Sequence, residues 1–543
     1  MNATTLYLQE LIDAGAGTTV ILPDGLFIID QRLTLSTNNV TIKSAGSTII
    51  QSIEPIIIWV TADLVNVNFE GVTFKSSGIG ANVEGYYGLF TSDKKSIDGL
   101  TFSQCTFTAP EIITNGIKLI ADAAGVMVKN VLIKDCVFEG RMGVEIQSFF
   151  DETERLFSCI VKDCTFQNLG LGNGGVDAGG APQHWGQAVS IAGRGRDHII
   201  DNNKIDNPYA IAIELTGGMP NCQITNNTFV NCIRNWSEQN LKMSLISLDA
   251  ISRQGINENC TIHNNKCLDQ LPRTTVFFDQ LVNCTISDNV LPVESWITIQ
   301  RADGNIFTRN VFVAYGLYCL FMDSVAGSIT NNLFENNTIK NSVYNYGSVY
   351  LKGLHAKDNL FRGGSITGMN PFTQVSGAAK NYVQNVSVNG QQTTTAPSGS
   401  VFIIPTITNG VPAGFGLYNT NQPQPTAPTD YAYGAQGKYS YIFGYTDPLV
   451  FNDSTFGDPI PGVAKQVYSR PATNNPVYDA QGTPDGFTQA TGNLPAGPKH
   501  LAYGTDRKFV FRFNVQPNDI PPLDGTFGDA APGYPKAGYY ENE

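Results

Sequence analysis

Three acidic residues pose the first chemical question. In the strings AIAIELT, LISLDA and TVFFDQ, Glu214, Asp249 and Asp279 sit beside apolar residues two positions apart. That spacing marks a strand with one buried face, which leaves the acids pointing away from the core. Placed on successive strands ~4.8 Å apart, neighbouring carboxylates stand about 5 Å apart and the outer two about 10 Å. Those separations are near the ones that retaining and inverting glycoside hydrolysis require. Stacked like charges raise one another's pKa, and a carboxyl kept protonated in this way is what a general acid needs. The three acids therefore read as acid and base or nucleophile. The alternative is solvated surface charge, or pairing with Arg194, Arg253 or Arg301.

Aligning all such strands by their inward pairs gives one outward column of Gln147, Ala192, Glu214, Asp249, Asp279, Gln300, Asp323 and Lys352, with Glu145 one position off it. Two insertions flank the coil of Glu214. Gln167 to Gln187 is glycine-rich and ends in His184 and Trp185, and Asn231 to Lys242 carries Trp236. Aromatic loops above an acidic floor make a cleft suited to the apolar faces of sugar rings. Arg194, Arg196, Arg253 and Gln300 complete the expected binding set, the arginines suiting an acidic sugar. No motif calls for a metal or another cofactor.

These residues must be positioned by a repeat. An apolar residue, two polar residues and then Asn or Cys recur with Cys105, Cys136, Cys164, Asn203, Asn227, Asn265, Asn289, Asn310, Asn332 and Asn359 at the fourth place. The spacings of 31, 28, 39, 24, 38, 24, 21, 22 and 27 point to a short coil carrying insertions on some turns. Asparagine tolerates the left-handed backbone of a tight turn, and stacked amides can bond to one another along the stack. A second column holds Cys159, Cys222, Cys260 and Cys284, so the cysteines are expected as buried, reduced core residues. The fold class is all-β, a right-handed parallel β-helix. Residues 1–45 form an N-terminal cap and first coils, with a short amphipathic helix at Leu6 to Ala14. Residues 46–365 form the β-helix, and 366–543 a Pro-, Gly- and Tyr-rich β module for trimerisation or carbohydrate binding.

Only 15% of residues are charged, and the formal net charge is −13, which disfavours nucleic acid and anionic lipid as partners. Met1 to Ala14 lacks a basic stretch followed by an apolar run, and no segment has the roughly 18 apolar residues of a spanning helix. Neither a secretory signal nor membrane insertion is expected.

With its coil pattern, helix cap and insertions, the chain to about residue 365 resembles the pectate-lyase-like β-helix superfamily, and within it the bacteriophage tailspikes. The calcium and arginine signature of pectate lyases is not evident, and the polygalacturonase NTD, DD, GHG and RIK set is missing. The resemblance implies a homotrimer in a virion tail, joined to a tail or baseplate protein, that recognises and hydrolyses a bacterial surface polysaccharide. The alternatives are a non-catalytic receptor-binding adhesin and a bacterial polysaccharide lyase.

Overall fold

The computed structural model describes residues 1–76, 88–109, 114–170, 186–208, 211–232, 244–250, 255–269, 275–293, 297–315, 318–324, 327–341, 347–352, 355–369, 371–375 and 381–393 of the coil region, and most of 407–472 with parts of 484–542 beyond it. Two compact units result. The first comprises 1–350, 360–373 and 384–393, and the second 351–359, 374–383 and 394–543.

The first unit is a right-handed parallel β-helix. Each coil contributes two short strands to one long parallel sheet and one strand to a second. The second sheet runs in order through Leu33–Leu35, Ile58–Val60, Gly88–Asp93, Asn115–Ile120, Met142–Gln147, Val189–Ala192, Ile213–Thr216, Ser244–Asp249, Thr275–Val282, Ile297–Asp303 and Tyr318–Asp323. Inward residues stack on their equivalents. Phe74, Phe107, Phe138 and Phe166 form one file with ring centroids 5.1, 4.9 and 4.9 Å apart. Parallel pairing continues past residue 365, where Ser365 and Ile366 pair with Ser387 and Val388, and an antiparallel hairpin with Gln391–Thr393 follows.

The ladders form, with two departures from expectation. The left-handed residue is the one before the ladder residue: Asn202, Asn226 and Asn264 have φ of 52°, 58° and 54°. That turn swings the following asparagine inward, where it is buried. Each amide then donates to the next one's Oδ1, through Asn203, Asn227, Asn265, Asn289, Asn310 and Asn337, at 2.9 to 3.0 Å. Asn337 takes the place expected of Asn332. Asn332 belongs to the other ladder, in which Cys284 N–H donates to Asn305 Oδ1 and Asn305 to Asn332. Asn359 likewise precedes Leu360, which pairs with Leu333. Two similar motifs per coil allow this exchange when only spacing is counted.

Upstream, the second ladder runs through Cys159, His198, Cys222, Cys260 and Cys284. His198 is fully buried and accepts a 3.3 Å bond from the Cys159 N–H, and burial pulls its ring down to about 3. All ten cysteines are free and buried.

The helix spans Ala3–Asp13, starting before the expected Leu6, because the Asn2 side chain caps it by accepting from Thr5 N–H. Leu8 and Ile12 face the first coil. The Gln9 amide accepts from Thr34 N–H and donates to Thr34 C=O, closing the edge of the second sheet's first strand. Asn2 donates to the Ile28 carbonyl on the other sheet.

The second unit holds an eight-stranded sheet whose described pairings are antiparallel. Its strands include Lys438–Tyr445 and Lys508–Val515, and aromatic clusters lie on both faces. Asp430 is buried there against Arg470 at 3.0 Å. The strand expected at Val401 to Pro405 lies outside the described residues. No described helix is long and apolar enough to cross a membrane.

Candidate functional site

Register decides which acids meet. Ser190 pairs with Glu214, Glu214 with Ser247, and Thr216 with Asp249. Glu214 therefore lies two residues from its expected place, and the single acidic column becomes two neighbouring columns. The first runs Thr91, Lys118, Glu145, Ser190, Glu214, Ser247, Phe277, Thr298 and Phe321. The second runs Gln147, Ala192, Thr216 and Asp249, then Asp279 and Gln300. A slip of two keeps the same residues outward, so the alternation in AIAIELT fits either choice. The inward pair is Ile213 and Leu215, both fully buried, rather than Ile211 and Ile213. Glu145, thought to be off the column, stands in line with Glu214.

Glu214 and Asp249 are diagonal neighbours, a relation that separates residues by roughly 7–8 Å. Ser190 Oγ donates to Glu214 Oε2 at 2.8 Å and Thr216 Oγ1 to Oε1 at 3.2 Å. Gln187, the last residue of the first insertion, also bonds the carboxyl. Burial outweighs these bonds and pushes the Glu214 pKa up, and the Glu145 charge adds to the effect.

Glu145 stands two coils away, and one coil beyond it the same column changes sign. Lys118 Nζ lies 2.8 Å from Glu145 Oε2, with side chains only 4% and 14% exposed. Asn115 also donates to Glu145. Arg141, just before the strand, is buried too; desolvation pulls it down to about 10, opposed by the Glu145 charge. Both the buried ion pair and the buried guanidinium are costly to desolvate, and Glu145 is the charge they share with the column of Glu214.

Asp279 is fully buried and held by Arg301, whose Nε donates to Oδ1 at 2.8 Å and whose Nη2 pairs with Oδ2. Burial raises its pKa, Arg301 opposes the rise, and Asp249 adds to it. Gln280 and Arg301, equivalent residues on adjacent coils, are left-handed at φ 50° and 45°, a turn that folds Arg301 back over Asp279. Asp279 is thereby committed to an ion pair, which leaves Asp249 as the partly exposed carboxylate beside Glu214.

Farther along, the first column turns aromatic. Phe277 and Phe321 are partly exposed, and Tyr318, Phe321 and Tyr350 form a cluster with centroids 4.3 to 5.6 Å apart. Gln300 stands next to Asp279, as expected. Arg194 and Arg196 do not reach the acids: Arg194 donates to the Glu152 carbonyl and Arg196 pairs with Glu154, against the strand of the other sheet. His184, Trp185, Trp236 and Arg253 lie outside the described residues. Sequence reasoning missed Lys118, Arg141 and Ser190. The parallel strings NGIKLI and MGVEIQ, aligned on the glycine at the second place of each, were the signal that places Lys118 beside Glu145.

A family model described as "Right handed beta helix region" matches residues 24–229. Among solved structures the chain is similar to the A-module of Azotobacter vinelandii mannuronan C-5 epimerase AlgE6, at 15% identity and TM-score 0.42, covering 72% of this chain and 96% of that one. It is also similar to a PL6 alginate lyase in complex with a trisaccharide, at 13% identity and TM-score 0.39, covering 76% and 88%. A third is DFA-IIIase from Arthrobacter chlorophenolicus A6, at 10% identity and TM-score 0.39, covering 63% and 91%. No curated protein matches the sequence. Over residues 24–229 the family model and the strand register agree, and that stretch is a right-handed β-helix.

Proposed function

We propose that the chain is a polysaccharide-acting enzyme that hydrolyses internal glycosidic bonds, with Glu214 as general acid and Asp249 as general base. The observation that carries this reading is Glu214 itself, a carboxyl on an outward sheet face, pushed toward its protonated form by burial and oriented by Ser190 and Thr216. In the reaction Glu214 gives its proton to the glycosidic oxygen as that bond breaks. Water adds to the anomeric carbon, and Asp249 takes the water's proton. The diagonal separation of the two leaves room for that water, which is the inverting arrangement. Lys118 and Arg141 suit an anionic sugar, and Phe277 and Phe321 offer rings to sugars farther along the chain. A bacterial surface polysaccharide as substrate, and a trimeric tailspike in a phage tail as the assembly, are the finer parts of the proposal and rest on the sequence resemblance.

The buried cations favour a second reading, elimination from a uronate whose carboxylate Lys118 and Arg141 would neutralise. One experiment separates the two. Purified protein is incubated with a panel of bacterial surface polysaccharides, following chain length, reducing ends and ultraviolet absorbance of unsaturated ends. Hydrolysis gives shortened chains and reducing ends without that absorbance, and elimination gives the absorbance. Undiminished shortening by Glu214→Gln overturns the assignment of the acid, and binding without shortening favours an adhesin.

A further inference from the structure

Seven of the ten cysteines belong to the two ladders, where each stands in line with an Asn, a His or another Cys on the next coil. Cys319 is buried in the strand Tyr318–Asp323. Cys232 and Cys267 remain, and they come together. Phe229 pairs with Cys267, so the end of the strand Thr228–Val230 lies against Lys266–Cys267 on the next coil. The carboxylate of Asp269, two residues after Cys267, completes the group. One ligand atom from each of Cys232, Cys267 and Asp269 lies within 4.8 Å of the others, and Cys267 Sγ is 3.8 Å from Asp269 Oδ2.

From this geometry we propose that Cys232, Cys267 and Asp269 bind a divalent cation of the zinc class. Two sulfurs and one oxygen are the donor types such an ion takes, in a tetrahedral set whose fourth position water can fill. The carboxylate is already oriented: Asn231 N–H donates to Oδ1 at 2.9 Å and Cys232 N–H to Oδ2 at 2.6 Å. Each oxygen keeps a lone pair for the metal, and the backbone bonds serve as the outer support that ligands of this kind need. Oxygen-loving cations such as calcium are poorly served by two thiols. The metal takes both sulfurs as thiolates, so uptake of one ion releases two thiol protons. Sequence spacing hides the site because its donors come from adjacent coils. The bound ion ties those two coils together independently of any catalysis on the second sheet.

The test uses the full chain after removal of metal by a chelator. Titration with Co2+ is expected to give one equivalent bound, with thiolate-to-metal absorption in the near ultraviolet and the visible bands of tetrahedral cobalt. Zn2+ displaces the cobalt and raises the Tm. Cys232→Ala and Cys267→Ala are each expected to weaken uptake by roughly 100-fold or more, and Asp269→Asn by roughly 10-fold. Cys136→Ala, in a ladder, leaves uptake unchanged. Absence of the thiolate band in the unsubstituted chain overturns the proposal whatever the variants do. So does uptake that persists undiminished in folded Cys232→Ala.

Discussion

Two polar stacks run along the same coils and behave differently. In the asparagine ladder every member meets its own kind, each oxygen accepts what the previous coil donates, and the stack is sealed in the core. On the outer face of the second sheet, Lys118, Glu145, Ser190 and Glu214 occupy equivalent places with three different chemistries. A stack of identical amides needs nothing further. One that mixes cation, carboxyl and hydroxyl is costly to bury, and the proposed function gives that cost a reason.

The largest effect that would sharpen this contrast is on turnover. Glu214→Gln is expected to lower kcat by roughly 10²–10⁴-fold while leaving Tm and polysaccharide binding nearly unchanged, read from reducing ends and a binding assay. The same acid sets a pH limb. It must be protonated to act and its pKa is raised, so activity is lost as pH rises, above the usual glutamate range rather than within it. Ser190→Ala removes a bond that favours the ionised form, so that limb moves still higher.

The ladder should give the opposite pattern. Asn265→Ala leaves the Asn227 amide and backbone N–H without their acceptor and the Ile224 carbonyl without a donor, at a cost of about 3 kcal/mol in thermal or denaturant unfolding. The activity of the folded fraction should not change.

Much of this division was legible before any coordinates. The coil, its inward alternation and the Asn and Cys at its corners follow from a motif repeated often enough to average out local ambiguity. The lateral placement of Glu214 was not legible from alternation, because period two cannot tell a strand from the same strand slid by two. Counting back from the second ladder would have resolved it: Ala192 is six residues ahead of His198, and Thr216 is six ahead of Cys222. The partnership of Asp279 with Arg301 depends on a left-handed arginine, a backbone state no pattern in that string announces.

A pH-dependent effect probes the odd member of the second ladder. His198 stays neutral in the folded chain down to about 3, whereas an unfolded histidine takes its proton near ~6.5. Its folded value is depressed, so its contribution is full above that unfolded value and is lost as pH falls toward 3. His198→Asn, the residue type the same ladder carries at Asn305 and Asn332, should flatten the fall of stability between these limits by up to ~1.4 kcal/mol per pH unit, seen by comparing Tm across pH. The smallest expected effect lies at the aromatic end of the outer column. Phe321→Ala should weaken binding of long substrate chains by about fivefold, near ~1 kcal/mol, with kcat unchanged.

The bonds of Gln9 to Thr34 have a consequence for assembly. A solenoid with a bare first rung offers a half-finished sheet to the last rung of another copy. Such head-to-tail contact does not close on itself, so it grows into a filament. One side-chain amide, presenting the same donor and acceptor that another strand would, occupies the edge position such a contact would use.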